Sequence, residues 1–269
     1  MLNPYIINYT NKKDFKDNIN FYLEKFKEHS VICFRDINLS FNQQQELAIS
    51  LGDLFGWVPN TKYMQSENNA NKYAVNSSYE EDHSKVDHSS RGKDDIIITW
   101  HMEHAWSDNP TVAGLWNMQI FNCDSESGKT YFLDTSKIWK MLSKEDQEFL
   151  LKCKSFYYSE GNKYIVDSIK KHWLTNEYVI NIDLDNSEPD NVYLSTFQDL
   201  SPTEEDIKTF NKIMNFVIDQ VHNNEDIRIV HRWKQGDILV PDLHKLAHTV
   251  TGGFSPDQRY FKGIWTYLN

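Results

Sequence analysis

Apolar side chains in the first sixty residues repeat first at helical and then at strand-like spacing. They recur every three or four positions within residues 12–29, which predicts an amphipathic helix. A short apolar run at 31–34 predicts a buried strand. A second helix is predicted over 41–51, and Gly52 is placed to end it because glycine readily adopts the left-handed conformation that stops a helix.

From residue 96 onward, most of the pattern is typical of β-structure, because short apolar or alternating runs are separated by turn residues. The predicted strands cover residues 96–100, 112–120, 129–133, 178–182, 191–194, 227–233, 238–240, 247–250 and 260–267. Many short strands with a few helices outside them predict a mostly-β fold with flanking helices, either a sandwich or a jelly roll.

Three further helices are predicted between these strands. Two cover residues 135–141 and 144–153, the second with Ser143 as its N-cap. The third is expected to start with a capping box formed by Ser201 and Glu204, with Pro202 at the first helical position. Its apolar stripe runs through Ile207, Phe210, Met214, Val217 and Val221.

The domain organisation follows from the absence of repeats and low-complexity linkers. We expect a single jelly-roll domain over residues 1–269, with a helical insertion at about 134–222. Residues 65–95 are rich in Asn, Ser, Asp, Glu and His, so they cannot bury much apolar surface, and we expect a long surface loop that acts as a lid.

Charge and cysteine content narrow the classes of partner. The formal net charge is -11 with no basic stripe, which argues against nucleic acid and favours a small-molecule substrate. No apolar run is long enough to span a membrane, and the N-terminus lacks the layout of a secretory signal. The three cysteines fit neither a disulfide framework nor a zinc knuckle. We therefore expect a cytoplasmic protein without membrane partners, which could form a homo-oligomer.

The sharpest chemical feature is a histidine and a glutamate two residues apart. His101 and Glu103 follow an apolar strand, where side chains at this spacing point the same way and can converge on one metal ion. Two histidines and one carboxylate form the facial triad that binds non-haem iron(II). His244 and His248, on a late strand, are both available as the third ligand, whereas alternation places His104 on the opposite face.

Several segments, taken in order, resemble the taurine dioxygenase (TauD/TfdA) family of iron(II)- and 2-oxoglutarate-dependent oxygenases along nearly the whole chain. The matching segments are Val-Ile-Cys-Phe-Arg-Asp at 31–36, Leu-Gly-Asp-Leu at 51–54, Trp-His-Met-Glu at 100–103, Ser-Gly-Lys-Thr at 127–130, and Arg-Trp with Gly-Asp within 232–237. The resemblance implies a double-stranded β-helix (jelly roll) and an enzyme that uses Fe(II), 2-oxoglutarate and O2.

The resemblance also assigns roles to individual residues. It implies that His101, Glu103 and His248 are both the catalytic residues and the metal ligands, and that Arg259 and Thr130 bind 2-oxoglutarate. A guanidinium suits the distal carboxylate because it binds it through two parallel hydrogen bonds and keeps its charge.

The sequence departs from the family pattern at two positions. Glu103 stands where taurine dioxygenase itself has aspartate, a change that relatives resembling clavaminate synthase share. Any carboxylate there also argues against the halogenating relatives, which carry glycine or alanine. Gly263 stands where the sulfonate-binding arginine would fall, so taurine is not the expected substrate.

We expect instead hydroxylation or desaturation of a small, amino-acid-derived metabolite, with release of succinate and CO2. Trp106, five residues after His101, is the candidate substrate-binding residue. Two other classes stay open from the residues alone. A zinc-dependent hydrolase could use two histidines and a carboxylate, and a non-catalytic jelly-roll binding protein would use these residues only structurally.

Overall fold

The computed structural model describes residues 1–8, 18–59, 96–107, 110–159, 162–182, 196–197 and 202–268. The helices there are α1 (Ile19–His29), α2 (Phe41–Phe55), α3 (Thr135–Met141), α4 (Lys144–Leu150) and α5 (Glu204–Asn223). The strands are β1 (Tyr5–Asn8), β2 (Val31–Arg35), β3 (Trp57–Pro59), β4 (Ala113–Phe121), β5 (Thr130–Asp134), β6 (Cys153–Ser159), β7 (Asn162–Asp167), β8 (Ile169–Lys171), β9 (Tyr178–Ile180), β10 (Thr196–Phe197), β11 (Arg228–His231), β12 (Ile238–Pro241), β13 (Leu246–Val250) and β14 (Arg259–Leu268).

Two sheets form the centre of the fold. The larger sheet has the strand order β1-β2-β12-β4-β14-β3, and the smaller sheet has the order β11-β5-β13. All neighbouring pairs in them are antiparallel except β1 with β2. Strands β6, β7 and β10 form a separate sheet, and β8 pairs with β9.

Alternation along the strands produces three apolar layers. Side chains from the facing sides of the two sheets pack together, among them Cys33, Trp116, Phe132, Leu239 and Phe261. The residues next to them along each strand point outward, where the larger sheet packs against α1 and α2 and the smaller sheet against α3, α4 and α5. The result is a helix-flanked sandwich with an interior between its sheets.

Helix α2 does not end where the sequence predicted. Gly52 lies within the helix, which continues to Phe55 and stops at Gly56, whose φ is 74°. Glycine is needed at position 52 for a different reason, because a Cβ there would lie 2.5 Å from the carbonyl oxygen of Trp57. Tertiary packing, and not helix termination, explains this glycine.

The two other helix predictions that need correction concern α4 and α5. Helix α4 ends at Leu150, because the chain turns and Cys153 begins β6. The N-cap of α5 is Thr203, whose capping box uses Asp206, so Ser201–Glu204 does not form the predicted box. Residue 201 itself lies outside the described residues.

The region at 134–222 was predicted as a helical insertion, and helices form only part of it. Strands β6 to β9 lie between α4 and α5. The predicted lid at 65–95, the strand at 191–194 and the start of the first predicted helix fall outside the described residues. Among the described residues, no helix is both long and apolar enough to cross a membrane. The cytoplasmic location stays a prediction.

The predicted strand at 96–100 forms only an irregular edge beside β13. Two isolated bridges hold it, Ile96 to Thr251 and His101 to His248. Between these bridges the chain advances five residues on one side and three on the other, so a regular ladder cannot form. The hydroxyl of Thr249 bonds the carbonyl oxygen of Ile98 instead.

Candidate active site

The two histidines of the predicted triad face each other across the edge of the smaller sheet. The backbone N–H of His101 donates to the carbonyl of His248 (3.1 Å), and the N–H of His248 donates to the carbonyl of His101 (2.8 Å). Directly paired residues in an antiparallel bridge project from the same side. Their imidazole centroids are consequently only 4.3 Å apart.

Glu103 completes the cluster from the turn that follows. Its Oε1 lies 3.5 Å from Nε2 of His248 and 3.9 Å from Nε2 of His101. One ligand atom from each residue lies within 4.8 Å of the other two. Such spacing leaves room for one ion at the roughly 2 Å bond lengths that imidazole and carboxylate ligands prefer.

The charge states of the cluster residues favour the binding of a cation. Burial opposes ionisation of Glu103, but hydrogen bonds and charge from His101 and His248 outweigh it and hold its pKa well below the usual value. Burial, together with the neighbouring His101, lowers the pKa of His248 to about 4. The site therefore combines an ionised carboxylate with a neutral imidazole, the forms in which these groups bind metals.

The ring orientation of His101 is fixed by a second contact. Its Nδ1 lies 2.9 Å from the carbonyl oxygen of Thr99. Because a carbonyl only accepts, Nδ1 carries a proton, and Nε2 is the ring atom that faces Glu103. For His248, Nδ1 is buried with no hydrogen-bond partner among the described residues. This donor set fits a divalent metal of the iron type.

The triad opens into a cavity of about 100 Å³ between the two sheets. Thr130 and Arg259 line the same cavity, and both are buried. Its other lining residues are mainly apolar or aromatic: Ile98, Trp116, Thr249, Val250, Phe261 and Trp265. A cationic and a hydroxyl group thus lie in an apolar chamber with the three candidate ligands.

Arg259 is held in place by the turn before β5. Its Nε donates to the carbonyl of Gly128 (3.2 Å), and its guanidinium lies over the rings of Trp233, Phe254 and Phe261. Gly128 has a φ of 60°, and a Cβ there would come 3.0 Å from Cδ of Arg259. Only glycine fits this turn without displacing the arginine.

Comparison with known proteins decides the family. The family model of the taurine catabolism dioxygenases, the TauD, TfdA family, matches residues 7–265. The chain belongs to the TauD/TfdA family. It is therefore an Fe(II)- and 2-oxoglutarate-dependent dioxygenase, and it uses O2.

Solved structures give the same picture for the fold of this TauD/TfdA protein. A taurine dioxygenase from Burkholderia xenovorans superposes with a TM-score of 0.62 at 12% identity, covering 100% of this chain and 89% of the other. AAD-2 in complex with Mn(II) and N-oxalylglycine gives 0.64 at 12% identity, covering 100% and 95%. The predicted jelly roll is confirmed. Sequence comparison with curated proteins gives no match.

Two other histidines of the TauD/TfdA chain lie apart from the triad. His104 has a φ of 53°, and its Nδ1 contacts the hydroxyls of Thr111 (2.7 Å) and Tyr267 (3.1 Å). This left-handed residue turns the chain directly after Glu103. His244, the alternative third ligand, lies beside His172, with ring centroids 5.4 Å apart. Residues 83 and 88, also histidines, lie outside the described residues.

Trp106 is not among the residues that line the cavity within the described chain. Its indole packs against Tyr164, with ring centroids 4.7 Å apart, and against His104 at 5.6 Å. Trp106 lies at the end of a turn at residues 103–106. Its contact with substrate stays a prediction.

Trp116 and Trp265 form an aromatic wall of the cavity, although the sequence did not lead us to assign either of them to the site. The signal was present, because alternation from Arg259 along β14 puts Phe261, Gly263 and Trp265 on the same face. Gly263 pairs with Trp116 on β4. A Cβ at Gly263 would lie 2.5 Å from Cη2 of Trp265, so the indole covers the position where the family arginine would start.

Proposed function

We propose that His101, Glu103 and His248 bind the ferrous iron, and that Arg259 and Thr130 bind the distal carboxylate of 2-oxoglutarate. One observation carries this proposal: the three ligand atoms meet on the wall of a buried cavity that Arg259 and Thr130 also line. When bound, the iron would supply open coordination positions at which the cosubstrate and dioxygen react.

The chain's own residues would orient the reactants and exclude water. The guanidinium of Arg259 keeps its charge and can grip a carboxylate through two hydrogen bonds. The hydroxyl of Thr130 accepts a bond from Nε1 of Trp233 (2.9 Å), which leaves its own proton to donate to the same carboxylate. The apolar walls keep bulk water from the reacting centre.

We propose that the substrate is a small, amino-acid-derived metabolite that is hydroxylated or desaturated while succinate and CO2 are released. Gly263 removes the family's sulfonate anchor, and Trp265 fills the space above it. The Nε1–H groups of Trp116 and Trp265 are buried without an acceptor among the described residues. These features favour a compact substrate with a hydrogen-bond acceptor over a sulfonate.

The metal assignment is tested by anaerobic titration of the protein with Fe(II) and 2-oxoglutarate. We expect a visible charge-transfer absorption in the wild type and its loss in His101→Ala. His29→Ala is the matched control, because His29 is half-buried and lies outside the cavity. A full band in His101→Ala would place the metal elsewhere, and no band in the wild type with 2-oxoglutarate would contradict the proposed metal and cosubstrate site.

The substrate class is tested by succinate formation with a panel of amino acids and their N- or C-modified derivatives, with taurine as the negative control. At least one compound should raise turnover above the uncoupled rate. Its product mass then distinguishes hydroxylation, a gain of one oxygen, from desaturation, a loss of two hydrogens. Stimulation by taurine alone would contradict the proposed substrate.

A further inference from the structure

A second cleft, of about 500 Å³, shares no lining residue with the catalytic cavity. It lies between the end of α1, the start of α3 and the residue that precedes β13. Although the whole chain carries a net charge of -11, four lysines line this cleft: Lys27, Lys137, Lys140 and Lys245. A local concentration of positive charge in an acidic protein needs a physical explanation.

Lys245 is the most unusual of the four. Its residue is only 4% exposed, yet its ammonium carries three hydrogen-bond donors. Within the described chain, its only ion pair is with Asp134, at 3.6 Å, and no hydrogen bond from its Nζ is recorded there. Its Nζ is not one of the fully buried atoms without a hydrogen-bond partner, so the ammonium faces the cleft, where water or a ligand can supply the acceptors.

The carboxylates of the cleft are engaged by other groups. Asp134 accepts from the backbone N–H and the hydroxyl of Ser136, at 3.0 and 2.6 Å. Glu177 pairs with Lys140 at 2.6 Å. Glu28 also has a cation, outside the cleft lining, since Lys25 lies 2.6 Å from it.

The lysines that line the cleft therefore carry more positive charge than its carboxylates neutralise. Lys27 and Lys137 form no ion pair with any described residue, and Lys245 is only partly neutralised. Solvated lysines at a surface need no partner, but the buried position of Lys245 distinguishes this cleft from such a surface.

We propose that this cleft is a binding site for a small multivalent oxyanion, either a phosphate or a short dicarboxylate. The oxygens of such a ligand would accept from Lys245 and lie within reach of the charges of Lys27 and Lys137. The site is independent of iron and of 2-oxoglutarate, because none of its residues belongs to the catalytic cavity.

The test is isothermal titration of the full chain at fixed ionic strength, first with inorganic phosphate and then with malonate. Saturable binding of either anion supports the site, and the two arms identify which chemistry it prefers. We expect Lys245→Met to weaken the binding at least about tenfold, since it removes the buried donor group. Absence of saturable binding by both anions would overturn the proposal and leave a cleft filled by solvent.

A second variant is needed because Lys245→Met removes the cation that pairs with Asp134, and this loss can impair folding. Lys137→Glu changes the charge of a side chain at the cleft, and we expect about tenfold weaker binding. Lys144→Glu makes the same change in net charge on an exposed residue outside the cleft lining, and should alter affinity less than about twofold. Equal effects of the two variants, or no effect of Lys137→Glu, would show that the anion binds elsewhere.

Discussion

Two clusters in the described part of the chain combine histidine and carboxylate groups closely enough to hold a metal. One is the proposed catalytic cluster of His101, Glu103 and His248, and the other consists of Cys33, His231 and Asp237. In each, the three ligand atoms lie within 4.8 Å of one another. Spacing alone does not separate them, although only the first has the two histidines and one carboxylate of the facial triad.

The second cluster already contains its cation. Arg35 donates to both oxygens of Asp237, at 2.9 and 3.0 Å, and the backbone N–H of Lys234 donates to the same carboxylate. Burial, and then the charge of Asp237, raise the pKa of the Cys33 thiol, so it keeps its proton at neutral pH. A metal would have to displace a half-buried guanidinium and a thiol proton.

The proposed catalytic cluster has, within the described part of the chain, neither a competing guanidinium nor a thiol. Among the described residues, Glu103 forms ion pairs only with His101 and His248, and the cluster borders a cavity. The comparison teaches that a metal site requires a carboxylate free of competing cations and a path for ligands, in addition to the right donors. Four predictions follow from this difference, from the largest expected effect to the smallest.

The first prediction exchanges one carboxylate of each cluster for its amide. Glu103→Gln should weaken Fe(II) binding by more than about a hundredfold, because it removes the only anionic ligand that we assign to the iron. Asp237→Asn should leave Fe(II) affinity within about threefold of the wild type. Competition with a chromophoric chelator measures both values, and a comparable loss in Asp237→Asn would refute the distinction.

The second prediction concerns stability. Arg35→Met should lower the free energy of unfolding by about 3 kcal/mol, because it leaves the buried Asp237 carboxylate with less compensation. Urea unfolding measures the effect. The double variant Arg35→Met with Asp237→Asn should recover part of the lost free energy of unfolding. If its loss instead equals the sum of the two single-variant losses, the ion pair contributes nothing to stability.

The third prediction is a pH dependence. Burial lowers the pKa of His231 below 6.5 despite Asp237 nearby. Below about pH 6.5 the unfolded chain therefore binds a proton that the folded chain does not, so stability falls as the pH falls. His231→Gln should reduce this slope by up to about 1.4 kcal/mol per pH unit, as judged by unfolding at several pH values. An unchanged slope would mean that folding does not lower the pKa of His231.

The fourth prediction is the smallest effect. Cys33 should resist alkylation by iodoacetamide in the folded protein and react on unfolding, because its thiol is buried and protonated. Cys33→Ala should cost about 1 kcal/mol of stability and leave Fe(II) binding unchanged. Rapid alkylation of Cys33 in the native state, located by peptide mass, would contradict the proton-bearing thiol.

The sequence predicted those parts of the fold that depend on local periodicity. The continuous apolar runs of β2 and β12 identified strands buried on both faces, and a further run identified β14. Ser143 was correctly expected to cap α4. The convergence of His101 and Glu103 was expected from their spacing along a strand, although Glu103 lies in the turn that follows it. The choice between His244 and His248 could not be made from spacing, because it depends on which residue of the late strand is opposite His101.

Other features depend on tertiary contacts that no local pattern encodes. The strand β6 was missed because its inward residues include Ser155, whose hydroxyl is satisfied by Ser168 (2.8 Å). Gly52 looked like a helix stop because the contact it makes with Trp57 is not visible in the pattern. The lysine cleft joins residues from position 27 to position 245, so it exists only in the folded chain.

The left-handed conformation of His104 restricts what a mutational library can contain at this position. Val, Ile and Thr strongly disfavour a positive φ, whereas Gly, Asn and Asp accept it with little strain. Selection for oxygenase activity from all twenty amino acids at residue 104 should therefore enrich the small, turn-forming types and deplete the β-branched ones, although none of them would touch the metal.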